Sequence, residues 1–531
     1  MYYITTSRPY SNATPHLGTA MDAIYGDLFA RFQRMLTDGH VLYSMGFDDH
    51  SFKIADKALE LSMNPKTFVD EKKDAFLKTY DQLNVSYNNI TQSSTAKHHW
   101  VANLVWHELS KKGYIYSKSY DGLYCKGCED FYSPSQLTEN HCPVHPYLDI
   151  QKIEETNYFL KLSHFKQDIL QYLGEVNVPD KSVIVEMKNF AQDLQDISIS
   201  RDRSRLSIDW GIPIWSDPTQ VMYVWFEALI TYLTPLVNDD LFIDFLNLHA
   251  NNSETDDLEN FTVEKLYQIY VSNQFSLQEE RLAVQVFTVL RNKLPQDLQI
   301  IGRDNAKFHL IIWPAILFGL DLPQIKNCLV HGMITDSLGR KFSKSLGNGV
   351  ELNEIIEKMG PESVRFFILN DCNSVGDSPF SFERMQASYN SHLANNLGNC
   401  LMRITTLVEK FLDGYLDLDS FQNKNQIDID SNQVFAYLQR YSPEKASQEL
   451  FFQLSKINVY LEETKPWSLG KDPVKNLLSI KEILTASAWN LRNLAEVLSI
   501  FLPETAAYII ESLNAPVIVK AKVLFEKIEN E

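Results

Sequence analysis

Apolar residues gather in two short runs near the start of the chain, Tyr2-Tyr3-Ile4-Thr5-Thr6 and Val41-Leu42-Tyr43-Ser44-Met45-Gly46, and both read as strands. Between them lie a turn-rich stretch, Arg8-Pro9-Tyr10-Ser11-Asn12-Ala13-Thr14-Pro15, and a helix predicted from about His16 to Leu36. Strand, helix and strand at this spacing open a parallel α/β sheet. Such sheets bind ligands beyond the carboxyl ends of their strands, which here are the stretches Arg8–Gly18 and Gly46–Ser51.

From residue 115 to about 190 the pattern breaks into a segment rich in aromatics, Cys and His, and near Ile208 it returns to α/β alternation that runs to about Leu369. After Gly376-Asp377 long amphipathic stretches such as Asn395–Phe411 and Ile480–Phe501 predict a helical bundle. The expected fold is a Rossmann-like parallel-sheet catalytic domain, split by an inserted connective domain and followed by a C-terminal α-helical bundle. The boundaries read as 1–114, 115–195, 196–376 and 377–531, with an extra helical insertion near 238–295 whose Asn238–Glu280 portion is acidic. Surface decoration is the plain reading of that insertion; placed beside an active-site mouth, it also bears on which acceptor enters.

At 44% hydrophobic residues over 531, the chain has apolar material for about two to four cores. The N-terminus lacks a charged region followed by an apolar stretch, and no run reaches membrane-spanning length, so a cytoplasmic protein without a membrane partner is expected. The net charge of −19 argues against a general nucleic-acid binder but leaves room for a local basic face. Of six cysteines, three crowd together. Cys125-Lys126-Gly127-Cys128 and Cys142-Pro143-Val144-His145 form two knuckles of x₂ spacing that suit tetrahedral zinc in a reduced compartment, the alternative being unliganded thiols.

Two further stretches carry chemistry. Thr14-Pro15-His16-Leu17-Gly18-Thr19 sits at a strand-to-helix turn, where a helix N-terminus offers N–H groups to phosphate and a His can stabilise charge on an α-phosphate. Gly339-Arg340-Lys341-Phe342-Ser343-Lys344-Ser345-Leu346-Gly347 packs lysines and serines between glycines, a loop able to fold over a triphosphate. Either alone is common; the two in this order resemble the signature motifs of class I aminoacyl-tRNA synthetases. Tyr223–Tyr232, Ile301–His309 with Trp313-Pro314-Ala315, and Ile197–Asp202 before Trp210–Pro213 narrow the resemblance to the methionyl family.

That resemblance implies an ATP-dependent ligase working with magnesium. It makes His16, Lys341 and Lys344 catalytic, and assigns ATP to His16, Gly18, Thr19, Gly302, Asp304, Lys341, Ser343, Lys344 and Ser345. It gives the amino acid to Ser7, Arg8, Asp48, Trp225, Tyr232, Asn305 and His309, with Asp48 on the ammonium. It makes the zinc of Cys125, Cys128, Cys142 and His145 structural. In the bundle, Asn399 and Arg403, one helical turn apart, and Trp467 fall where the family reads the tRNA anticodon. Monomeric action is expected.

Four positions depart from the family. Thr19 stands where a second His closes the first motif, and Phe342 where Met is usual. Arg8 and Asn305 replace apolar residues of the methionine pocket. A buried unpaired guanidinium beside a thioether is unfavourable, whereas one opposite a carboxylate is favourable and selective. Either Arg8 turns to solvent, or the substrate carries a polar side chain. The leading reading is activation of an amino acid to its adenylate and transfer to tRNA. A second is a biosynthetic relative that adenylates a polar amino acid for a small hydroxylamine or amine acceptor, and a third is a non-catalytic tRNA-binding paralogue.

Overall fold

The computed structural model describes residues 1–529 except 13, 38, 126–129, 133–136, 139, 144, 207, 250–261, 272–274, 341, 343–349 and 422–425. The chain divides into two interleaved compact units: Met1–Thr14, Leu42–Phe76 and Tyr87–Cys328 form the first, and Pro15–Val41, Leu77–Ser86 and Leu329–Glu531 the second.

The first unit is organised on a parallel sheet whose strands run in the order Leu298–Gly302, Tyr2–Thr6, Val41–Phe47, Asn89–Gln92. Ile4 pairs with Leu298 and Met45 with Ile90, both in parallel register. Tyr3, Ile4, Tyr43, Met45, Leu298, Ile300 and Ile301 are buried, which explains why these strands read as near-continuous apolar runs rather than as alternation. The aromatic, Cys-rich segment is a four-stranded antiparallel sheet in which Gln151–Leu160 lies between Ile115–Cys125 and Ile197–Ser198. The insertion near 238–295 is helical in its described parts: Asp239–His249, Val263–Val271 and Leu277–Lys293. It is tied to the helix Ala96–Lys111 by Glu280, which accepts from Lys111 at 2.6 Å and pairs with His107 at 2.9 Å, while Phe275 stacks on His107 at 3.9 Å.

The second unit is mainly helical. Its helices Pro361–Asn370, Pro443–Thr464, Pro473–Leu498 and Pro503–Asn514 each open on a proline, whose missing N–H costs nothing in a first turn. Leu401, Ile404, Leu450, Leu454, Leu484 and Leu491 fill the bundle core. A buried ion pair also lies in this unit: Arg365 Nη2 is 2.7 Å from Asp27 Oδ2, and the same guanidinium donates to the Leu83 and Phe501 carbonyls. Burial works to raise the Asp27 pKa, but Arg365, Arg31 and the Ser86 hydroxyl outweigh it and hold the carboxyl below its usual range. Among the described residues no helix is long and apolar enough to cross a membrane.

Candidate active site

The residues assigned to the amino acid from sequence all lie in the first unit, the earliest of them just beyond the carboxyl ends of two strands. Beyond Tyr2–Thr6 the chain turns so that Tyr10 bridges Asp48, the Asp48 N–H donates to the Pro9 carbonyl at 3.1 Å, and the Ser11 N–H donates to the Asp48 carbonyl at 3.2 Å. Ser7 is held by its N–H on the Ile300 carbonyl at 3.0 Å. Asp48 and Asp49 are both buried but differ in surroundings. Asp49 accepts from the Ser11 and Ser94 hydroxyls, each at 2.6 Å, which makes it a brace between segments.

The opposite wall comes from the helix Val224–Ile230 and its exit, and from the turn Arg303–Asn305 that runs into Phe308–Ile312. His309 Nδ1–H donates to the Asn305 carbonyl at 2.8 Å, which leaves Nε2 to accept from the Tyr232 hydroxyl at 2.8 Å. The Trp225 and Phe308 rings lie 6.2 Å apart. Asn305 falls one turn before His309 and is partly exposed; Gly302 caps the turn, and Asp304 is exposed.

Arg8 does not turn to solvent. Its Nε donates to the Thr231 hydroxyl at 3.1 Å, Nη1 to the Ser44 carbonyl at 3.1 Å and Nη2 to the Ser44 hydroxyl at 3.4 Å, and its guanidinium lies 4.6 Å from the Tyr232 ring centroid. Gly46 makes the seat: a Cβ there would stand 3.2 Å from Arg8 Cζ and 2.3 Å from the Thr91 carbonyl oxygen. Burial lowers the Arg8 pKa from the usual arginine value.

Behind the pocket lies a network that the sequence reading missed. Glu227, wholly buried, meets His50 Nδ1 at 2.9 Å and His98 Nε2 at 3.1 Å, and His98 Nδ1 meets the Thr234 hydroxyl at 2.8 Å. Burial raises the Glu227 carboxyl, lowers His50 to about 4 and pulls His99 well below its ordinary range. The signal was the histidine directly after Asp48-Asp49 and the acid two residues after Trp225. A cleft of about 890 Å³, lined by His50, His99, Arg203, Trp210, Phe242 and Tyr267, opens beside this network, and none of the sequence-named pocket residues lines it.

In the second unit His16 caps the helix Leu17–Leu36. Its Nδ1 accepts from the Gly18 and Thr19 N–H groups at 3.1 and 3.3 Å, and the Thr19 hydroxyl accepts from the His16 N–H at 3.0 Å. This corrects the expectation that the first amides are open to phosphate: the His16 ring occupies two of them, and its proton sits on Nε2. Ahead of the Lys/Ser loop, the Arg340 Nε–H and backbone N–H donate to the Asp336 carboxylate at 2.8 and 2.9 Å. Lys341, Ser343, Lys344 and Ser345 lie outside the described residues. In the bundle, Arg403 stacks on the Trp467 indole at 4.7 Å and donates to Glu462 at 2.6 Å, while Asn399 is exposed at the start of Asn399–Leu412.

The donor atoms of Cys125, Cys142 and His145 all lie within 4.8 Å of one another, with His145 Nδ1 at 3.9 and 4.0 Å from the two sulfurs. Ligands of one tetrahedral zinc stand roughly 3.3–3.8 Å apart, so a small contraction seats the ion. Cys128 lies outside the described residues.

A family model for class I (M) tRNA synthetases matches residues 2–152, 148–242 and 270–405, leaving 243–269, within the helical insertion, and 406–531 unmatched. The methionine–tRNA ligase of Caldanaerobacter subterraneus is 31% identical over 97% of this chain and 74% of its own length. The chloroplastic/mitochondrial enzyme of Arabidopsis thaliana is 30% identical over 97% and 78%. The Mycobacterium tuberculosis methionyl-tRNA synthetase in complex with methionyl-adenylate superposes with a TM-score of 0.78 at 27% identity, covering 97% of this chain and 94% of that one. With both motifs in order and the similarity running nearly end to end, the chain belongs to the methionyl-tRNA synthetase family of class I tRNA synthetases.

Proposed function

We propose that this chain is an ATP-dependent ligase that activates an α-amino acid as its adenylate and transfers the aminoacyl group to tRNA. The observation that carries the reading is the seat in which Tyr232 meets both His309 and Arg8, with Asp48 bridged to Tyr10 beyond the strand ends, in a chain similar to methionine–tRNA ligases over 97% of its length. A carboxylate oxygen of the substrate attacks the α-phosphorus of ATP, the bond to the β-phosphate breaks, and magnesium pyrophosphate leaves. Asp48 holds the ammonium, Ser7 and Asn305 border the side chain, and Asp304 with Gly302 takes the ribose.

His16, its proton held on Nε2 by the helix cap, donates to the α-phosphate, and Lys341, Ser343, Lys344 and Ser345 neutralise the departing pyrophosphate. Gly18 and Thr19 act by fixing that ring. Cys125, Cys142, His145 and Cys128 hold a structural zinc, which supplies folding free energy and no catalytic step. Asn399, Arg403 and Trp467 bind the anticodon, the indole offering a face for a base.

We place the domains at 1–114, 115–195, 196–376 and 377–531, and the protein in the cytoplasm as a monomer. A small amine acceptor is the second reading, favoured only by the inward-facing Arg8. ATP–pyrophosphate exchange with each of the twenty amino acids, followed by charging of bulk tRNA, tests the proposal. Exchange without charging selects the small acceptor, and charging selects tRNA. Loss of both reduces the chain to a binding paralogue.

A further inference from the structure

Arg8 brings a positive charge into the first unit without bringing a negative one. Its partners are neutral: the Thr231 hydroxyl, the Ser44 hydroxyl and carbonyl, and the face of Tyr232. Among the described residues no carboxylate pairs with it. A guanidinium carries five N–H groups. Three are engaged here, which leaves one on each terminal nitrogen for another acceptor. The contrast with Arg365 is direct, since that buried guanidinium stands 2.7 Å from the Asp27 carboxylate.

The surroundings of Arg8 are built to hold it in place. Gly46 leaves the room its guanidinium needs, and Thr231 Oγ1 passes its own proton to the Ala228 carbonyl at 2.5 Å, so the oxygen presents lone pairs to Arg8 Nε. Tyr3, whose hydroxyl donates to the Tyr232 carbonyl at 2.8 Å, is kept protonated by burial and supplies no counter-charge. Tyr232 joins this seat to the pocket, because its ring carries Arg8 while its hydroxyl meets His309. Asn305 is partly exposed one turn before His309, whose Nδ1–H its backbone carbonyl accepts.

We infer that Arg8 is a specificity-determining residue that binds the side-chain carboxylate of the activated amino acid, with Asn305 as a second polar contact, so that the substrate class is acidic α-amino acids rather than methionine. The inference rests on the amino-acid activation proposed above and names the substrate of that same site. An anionic side chain supplies the missing counter-charge and accepts the two remaining N–H groups, whereas a thioether does neither. The amide isosteres of the acids keep the shape and lose the charge, which makes them the discriminating comparison.

The experiment is ATP–pyrophosphate exchange by the full chain with L-glutamate, L-glutamine, L-aspartate, L-asparagine and L-methionine. One of the acids is expected to exceed both its amide and methionine in kcat/KM by about tenfold or more, because the amide and the thioether leave the buried guanidinium without its counter-charge. Arg8→Leu is expected to lower that acid by at least about tenfold, mainly through KM, and to raise methionine. Should Arg8→Leu fail to fold, the acid-to-amide ratio of the unaltered chain decides alone. Methionine as the best substrate, or an acid-to-amide ratio within about twofold, overturns the inference while leaving amino-acid activation standing. Exchange with none of the twenty amino acids overturns the activation reading itself, and this inference with it.

Discussion

His16 and Thr19 illustrate how one residue change redirects its neighbours. With Thr at position 19 the hydroxyl is short enough to close a capping box on His16, and the imidazole is locked by two backbone N–H groups instead of swinging freely. Positive charge on the phosphates must then come from the other motif. Lys344→Ala is therefore expected to slow single-turnover adenylate formation by about 100-fold or more, with ATP affinity changing far less, because the charge acts on the transition state. A wild-type rate in rapid-quench measurements removes Lys344 from the machinery. Arg8 sits at the same scale: one side chain is turned inward and held by Thr231 and Ser44.

Two elements carry assignments that can be tested apart from the chemistry. The antiparallel sheet ends its strand Ile115–Cys125 at a candidate metal ligand, and Cys125 and Cys142 are both fully buried. The purified protein is expected to contain about one zinc per chain, and Cys142→Ser to lose it together with much of the stability of this sheet, since structural zinc contributes on the order of 10 kcal/mol in free peptides. Elemental analysis without zinc in the unaltered chain refutes the site. In the bundle, Arg403 keeps the Trp467 indole covered on one side. Trp467→Ala and Arg403→Ala should each lower tRNA charging by about 10- to 100-fold and leave pyrophosphate exchange unchanged, as base stacking contributes about 1–3 kcal/mol. A parallel fall in exchange would mark them as structural.

At the scale of the whole molecule, similarity over 97% of the chain carries the family assignment. The buried network of the first unit gives the protein a pH dependence. His50 titrates near 4 when folded against 6.5 ordinarily, and His99 is lowered further, both by burial, so unfolding below about pH 6.5 takes up two protons. Glu227, raised by burial, releases at most one in the opposite sense. The net uptake makes stability fall as pH drops from about 6.5 toward 4, at a slope approaching 1.4 kcal/mol per pH unit. Urea midpoints that stay flat across that window would show that these imidazoles are solvated.

The sequence by itself determined the strand–helix–strand opening, the grouping of Cys125, Cys142 and His145 and the order of the motifs, because each depends on spacing along the chain. Val41–Phe47 and Leu17–Leu36 lie within a residue of where the apolar pattern put them. Only the tertiary structure decided the direction of Arg8, since its partners Ser44 and Thr231 are 36 and 223 residues away. The network of His50, His98 and Glu227 was hidden for the same reason. A local pattern records which face of an element is apolar. Where a buried charge finds its partners depends on which distant segments fold against it, and no period in the chain records that.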